Sequence, residues 1–185
     1  CSTTCRSASP PRTLARNTGA ERGAGAGKLM PAVFRHAVVV GPESIDALNH
    51  ANNREFLRWM EEAAVRHSDA RGWTTERYVA SGASWVASQH RLDYLRPAFV
   101  GDPLTVWTWI AEIQSRTSRR RYLVTRDRDG KALALGQTVW AYVDLASGRG
   151  VPVPADVAAS FEAVADDDPR LDIIGPARRL LRRNS

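Results

Sequence analysis

At 185 residues, 43% hydrophobic and 25% charged, the chain is one domain plus tails, long enough to bury a real core. Its net charge of +6 sits at the ends: residues 1–29 carry five basic and one acidic residue, residues 176–185 carry four arginines, and 30–175 is left at −2. That argues against a nucleic-acid binder, which would carry its basic excess on the folded body, and no apolar run reaches the roughly 18 residues of a membrane span.

Both cysteines, Cys1 and Cys5, lie at the start, and the body has none. This excludes a cysteine nucleophile, a disulfide-built core and thiolate metal ligands in the body, and it fits a reducing, cytoplasmic compartment. A cysteine at position 1 is compatible with a processed lipoprotein. An expression remnant or misassigned start, with Met30 as the natural initiator, is the favoured reading. Residues 1–29 are rich in Ser, Thr, Arg, Gly and Ala and are expected to be a disordered extension; a targeting segment is the lesser alternative. The glycines before Lys28 lack phosphate-loop spacing, because Lys28 is followed by Leu29.

Val33 to Val40 reads as the first strand, broken by Gly41-Pro42. A helix is predicted over about 53–71, with Asn52 as N-cap and Glu55 as its capping-box partner. Phe56, Met60, Ala63, Ala64 and His67 recur on one face of it, and charged residues fill the others. Gly72 suits the C′ position. Residues 73–82 read as a short helix or loop. Strands follow at about 84–95, 103–115, 118–128 and 131–144, with a hairpin turn at Asp129-Gly130. Leu104 to Ile110 is apolar or aromatic on both faces, which predicts a partner subunit on the side away from the helix. A linker at 148–154 leads to a short amphipathic helix over 155–165. Residues 166–185 read as a polar, basic tail, with a final turn or two over 176–183. One helix followed by antiparallel strands is an α+β pattern, with the domain over 30–165.

Three pieces of the chain resemble one family. Asp46-x-x-x-His50-x-Asn52-Asn53, followed by Phe56, Trp59 and Glu62-Ala63, resembles the hotdog-fold acyl-CoA thioesterases of the 4-hydroxybenzoyl-CoA thioesterase type. Tyr94-Leu95-Arg96-Pro97-Ala98 with Gly101-Asp102-Pro103-Leu104 is similar to a second stretch of that family. Gly136-Gln137-Thr138-Val139-Trp140, leading to Val151-Pro152-Val153-Pro154, is similar to a third. The resemblance covers roughly residues 33–160. It implies a curved antiparallel sheet wrapped around one long helix and a homodimer or homotetramer with each active site between two subunits. It also implies hydrolysis of an acyl-CoA with no metal or redox cofactor, coenzyme A being part of the substrate. The family's glycine before the histidine is Asn49 here. The turn then needs an asparagine at positive φ, which asparagine tolerates better than most residues.

A thioester needs an attacking oxygen and a place for the charge that develops on its carbonyl oxygen. A carboxylate can attack directly or act as general base on water, and unpaired N–H groups at a helix start can form the oxyanion hole. The resemblance gives Asp46 the first role, with nucleophile and base both open, and the amides around His50 to Asn53 could fill the second. The bland alternative for Asp46 is a turn or capping aspartate. His50 is a second catalytic candidate, able to polarise the carbonyl or orient Asp46. Asn52 suits a cap, and Asn53 is a candidate for a substrate or interface hydrogen bond. Glu61 and Glu62 read as a solvated or interface pair. Arg119 and Arg121 share a strand face and could clamp coenzyme A phosphates, while Arg120 points the other way. A solvated arginine edge is the alternative. No nucleophile elbow or paired-histidine metal motif is present. His36, His67 and His90 stand isolated. Trp59 and Trp85 are candidates for shaping an acyl pocket. The rival readings are an acyl-ACP thioesterase and a non-catalytic acyl-CoA-binding protein.

Overall fold

The structure, a computed structural model, describes residues 31–183, so the expectation of a disordered 1–29 extension lies outside the described residues. Five strands pair antiparallel: β1 (Val33–Val39), β2 (Ala83–Tyr94), β3 (Pro103–Ile113), β4 (Thr117–Arg126) and β5 (Lys131–Asp144). Their order is β1-β3-β4-β5-β2. α1 (Asn53–Ala70) lies along one face of this sheet. Its asparagine cap and glycine stop follow the expected chemistry. The Asn52 side chain accepts the Arg54 N–H, and Gly72, at φ 80°, lets the Gly72 and Trp73 amides turn back onto the Asp69 and Ser68 carbonyls. Phe56, Trp59, Met60, Ala63 and Ala64 of α1 pack into the main core with Leu104, Val106, Tyr122 and Val124. Gly136 on β5 makes room for that approach, since a Cβ there would stand 2.5 Å from Met60 Sδ. The architecture is the α+β hotdog, a curved sheet around one long helix.

A short helix α2 (Thr75–Ser81) precedes β2, and α3 (Ala155–Ala159) follows β5. α3 is shorter than the predicted 155–165 helix because the chain turns after Ser160 and Ala163 bridges to Ile110 of β3.

The far side of the sheet differs from expectation. The segment read as a polar tail forms a 3-10 run, Pro169–Arg183, broken at Gly175 where φ is 61°. Leu171, Ile174, Ala177 and Leu181 from it are buried with Trp109, Leu123 and Leu135. The apolar residues recur mostly every third position, the repeat of a 3-10 helix rather than an α-helix. Trp109 is therefore fully buried by its own chain. The face of β3 away from α1, predicted to need a partner subunit, is covered from within, so the folded region extends past residue 165.

His67 ends the buried face of α1, its ring stacked on Phe34 at 5.2 Å. Burial, then the Arg120 and Arg71 charges, push its pKa down from 6.5 to about 2. The folded state keeps His67 neutral where the unfolded chain would protonate it, so the unfolded state binds more protons below pH 6.5. Stability should fall as pH drops below about 6.5, by at most ~1.4 kcal/mol per pH unit from this residue. His67→Gln should flatten urea-denaturation stability between pH 6.5 and 4.5; an unchanged slope would show that His67 is not the titrating group.

Candidate active site

Between β1 and α1 the chain makes a short 3-10 turn, Pro42–Ser44, and a loop closed by the Ile45–Ala51 bridge. The Asp46 N–H donates to the His50 carbonyl (2.9 Å), and the Asn49 N–H donates to the Asp46 carbonyl (3.1 Å). Asn49 sits at φ 62°, the one non-glycine residue at positive φ among those described. The turn that the family builds with glycine is kept. Asn49→Gly should therefore retain fold and activity, whereas Asn49→Val should cost about 1–2 kcal/mol through the left-handed backbone. Thermal melts of both variants check this; a valine variant as stable as wild type would contradict it.

Asp46 is held at the mouth of this loop. Its Oδ1 accepts the Leu48 N–H (2.8 Å), and Oδ2 lies 3.5 Å from His50 Nδ1. The Asp46 and His50 side chains are 24% and 32% exposed, so both can be reached from solvent while still oriented by the loop. His50 Nδ1 is also 3.4 Å from the Ala51 carbonyl. The structure thus brings the Asp46 and His50 side chains together.

The amides at the helix start divide into engaged and open groups. The Ala51 N–H donates to the Ala98 carbonyl, the Asn52 N–H to the Ser44 carbonyl and the Arg54 N–H to the Asn52 side chain. Among the described residues, the N–H groups of His50 and Asn53 have no such partner. Both residues, with Phe56 and Tyr94, line a groove of roughly 310 Å³ closed by Leu95, Arg96 and Pro97. Tyr94 donates from its hydroxyl to the Asn53 carbonyl (3.1 Å) and stands edge-on to Phe56. Two of the resembling stretches, one at the start of α1 and one following β2, therefore meet at one groove.

Sequence reading missed what fixes the helix start. Glu55 does not reach back to Asn52 as a capping box would. It is buried and accepts from Ser44 Oγ (3.3 Å), Arg54 Nε (3.3 Å) and Arg58 Nε (2.9 Å). Burial pushes its pKa up, but the hydrogen bonds from Arg58, Ser44 and Arg54 win and hold it below the usual range. The serine eleven residues upstream gives no local spacing signal for this contact.

The proposed arginine clamp fares differently at its two positions. Arg119 is part-exposed and pairs with Glu112 across the strands (3.2 Å). Arg121 is buried and pairs with Asp166 at 3.1 Å. The segment after α3 thus takes the Arg121 guanidinium as an internal partner, whereas Arg119 keeps part of its side chain in solvent. Trp59 is fully buried in the main core, while Trp85 lines a cavity at the other end of α1.

The fold and this loop define a hotdog protein of the thioester-hydrolase class. Residues 40–161 match the thioesterase-like superfamily, and the chain belongs to that family. Over 121 residues it is 22% identical to the long-chain acyl-CoA thioesterase FadM of Escherichia coli, covering 64% of this chain and 89% of that one. It is 25% identical over 158 residues to a chloroplastic palmitoyl-acyl carrier protein thioesterase of Cuphea hookeriana, covering 76% of this chain but only 38% of the plant protein. Among solved structures, a 1,4-dihydroxy-2-naphthoyl-CoA thioesterase from Synechocystis superposes with a TM-score of 0.66 at 18% identity, covering 70% of this chain and 95% of that one. A Thermus thermophilus thioesterase solved with coenzyme A and Zn superposes with a TM-score of 0.60 at 29% identity, covering 69% and 91%.

Proposed function

We propose that the chain hydrolyses the thioester of an acyl-CoA at the Asp46 loop. The observation that carries this is an oriented carboxylate beside the His50 imidazole, with His50 and Asn53, whose amides are unpaired, lining the adjoining groove. In the reaction, an oxygen attacks the thioester carbonyl carbon, charge collects on the carbonyl oxygen, and the C–S bond then breaks to release coenzyme A thiolate. Asp46 supplies the attacking oxygen, giving an anhydride that water opens, or it takes the proton from an attacking water. The His50 and Asn53 N–H groups suit the carbonyl oxygen, where oriented donors stabilise charge without reorganising. His50 orients Asp46 or polarises the carbonyl. Arg119 remains a candidate for a phosphate of coenzyme A. No metal or redox cofactor enters this scheme.

The similarity to FadM supports coenzyme A as the carrier, and the plant relative makes acyl carrier protein the alternative. The proposal includes a homodimer or homotetramer and a cytoplasmic location; among the described residues no helix is long and apolar enough to cross a membrane. The test is free-thiol release by wild type from short, long and aromatic acyl-CoAs, set against the same chains on acyl carrier protein. Turnover of acyl-CoAs supports the proposal. Turnover confined to acyl carrier protein moves the assignment to that carrier, and binding without turnover of either would favour a non-catalytic acyl-CoA binder.

A further inference from the structure

At the opposite end of α1 from the Asp46 loop, a cavity of roughly 240 Å³ opens between α1, α2 and β2. Its wall is aromatic, built from Trp73, Tyr78, Trp85, Trp140 and Phe161. The Tyr78 hydroxyl is already used, accepting from Trp85 Nε1 (3.2 Å) and lying 3.2 Å from Ser68 Oγ.

Arg120 of β4 also lines this cavity and is only 5% exposed. Its Nη1 donates to His67 Nδ1 (2.9 Å) and Thr108 Oγ1 (3.2 Å). Neither acceptor is an anion, since one is an imidazole nitrogen and the other a hydroxyl oxygen. The other buried arginines are paired, Arg121 with Asp166 and Arg126 with Asp102 and Asp129. Among the described residues Arg120 has no carboxylate within ion-pair distance, and its Nε and Nη2 make no hydrogen bond. Asp69 lies on the same cavity but is exposed and forms no ion pair with Arg120.

A guanidinium taken out of water without a counter-charge is costly, and it is a planar two-donor fork matched to a carboxylate. An aromatic wall beside it suits a flat or chain-like apolar body. We propose that this cavity binds the carboxylate of a small apolar acid, with Arg120 as its counter-ion. Two sources share that chemistry: a free acid of the kind thioester hydrolysis releases, or the far end of an acyl group carrying a second carboxyl. Only the second source rests on the thioesterase reading.

Calorimetric titration of the full chain with benzoate and with its neutral counterpart benzamide tests the site without needing turnover. Benzoate should bind at least tenfold more tightly. Arg120→Met should erase that difference while leaving Tm unchanged or higher, because the unpaired buried charge is gone, and Arg120→Lys should keep part of it. Equal binding of the two compounds by wild type overturns the proposal, and this comparison stands even if the methionine variant fails to fold. A benzoate preference that survives in folded Arg120→Met also overturns it. Thiol release from adipoyl-CoA against hexanoyl-CoA then separates the sources. An Arg120-dependent preference for adipoyl-CoA identifies the acyl group, and benzoate selectivity without that preference identifies a free acid. Failure of all turnover with benzoate selectivity intact would sink the thioesterase reading and leave this site standing.

Discussion

Removing residues 169–185 is expected to destabilise the domain by several kcal/mol or leave it insoluble. Leu171 and Leu181 are fully buried, and Ile174 and Ala177 nearly so, all on the sheet face that carries Trp109 and Leu123. Burying one leucine or isoleucine side chain contributes about 1.5–3 kcal/mol. The deletion also uncovers part of the sheet face around Trp109 and Leu123, which the segment shares with Ala32 and Val164, and a contiguous apolar sheet face of that kind promotes aggregation. The milder variant Leu171→Ala should cost about 2–5 kcal/mol. Urea denaturation of soluble protein and the soluble yield read both effects. A shortened chain with wild-type midpoint and yield would contradict the packing described here.

That segment also shows where the sequence was legible and where it was not. Helix α1 announced itself because its apolar residues recur at 3.6-residue spacing between an asparagine cap and a glycine stop. The strands were legible from alternation and from turn residues; Gly130 does sit at positive φ, within a four-residue connection in which Asp129 clamps Arg126. The 3-10 segment follows a three-residue repeat interleaved with arginines and a proline, so it reads as polar when tested for an α-helix. The two-faced apolarity of β3 was seen correctly, but periodicity cannot say whether the cover comes from a partner or from the same chain.

The candidate site divides in the same way. Asp46, His50 and Asn49 lie within five residues, so their local geometry follows from short-range turn chemistry. Glu55 with Ser44, Arg121 with Asp166 and the unpaired Arg120 depend on tertiary contacts between distant positions. Strand alternation did put Arg120 on the opposite face from Arg119 and Arg121. It could not say that one face would be closed by the C-terminal segment and the other would open into an aromatic cavity.

Asp46→Ala carries the largest expected effect on activity. The carboxylate is part-exposed in a turn, and its loss removes one hydrogen bond from Leu48 and the contact with His50. The stability cost should be about 1 kcal/mol or less, as for other exposed turn positions. The chemical cost is far larger. A positioned general base contributes roughly 10²–10⁴ in rate, and a nucleophile at least as much. Because the carboxylate acts on the reacting carbon, the loss should appear in kcat and kcat/KM together rather than in KM. Free-thiol release by wild type and Asp46→Ala, measured on whichever acyl-CoA the wild type hydrolyses fastest, reads this directly. Turnover that falls by about a hundredfold or more, with the melting profile preserved, is the result predicted for catalysis at the Asp46 loop. A folded alanine variant that turns over as fast as wild type would place the chemistry elsewhere.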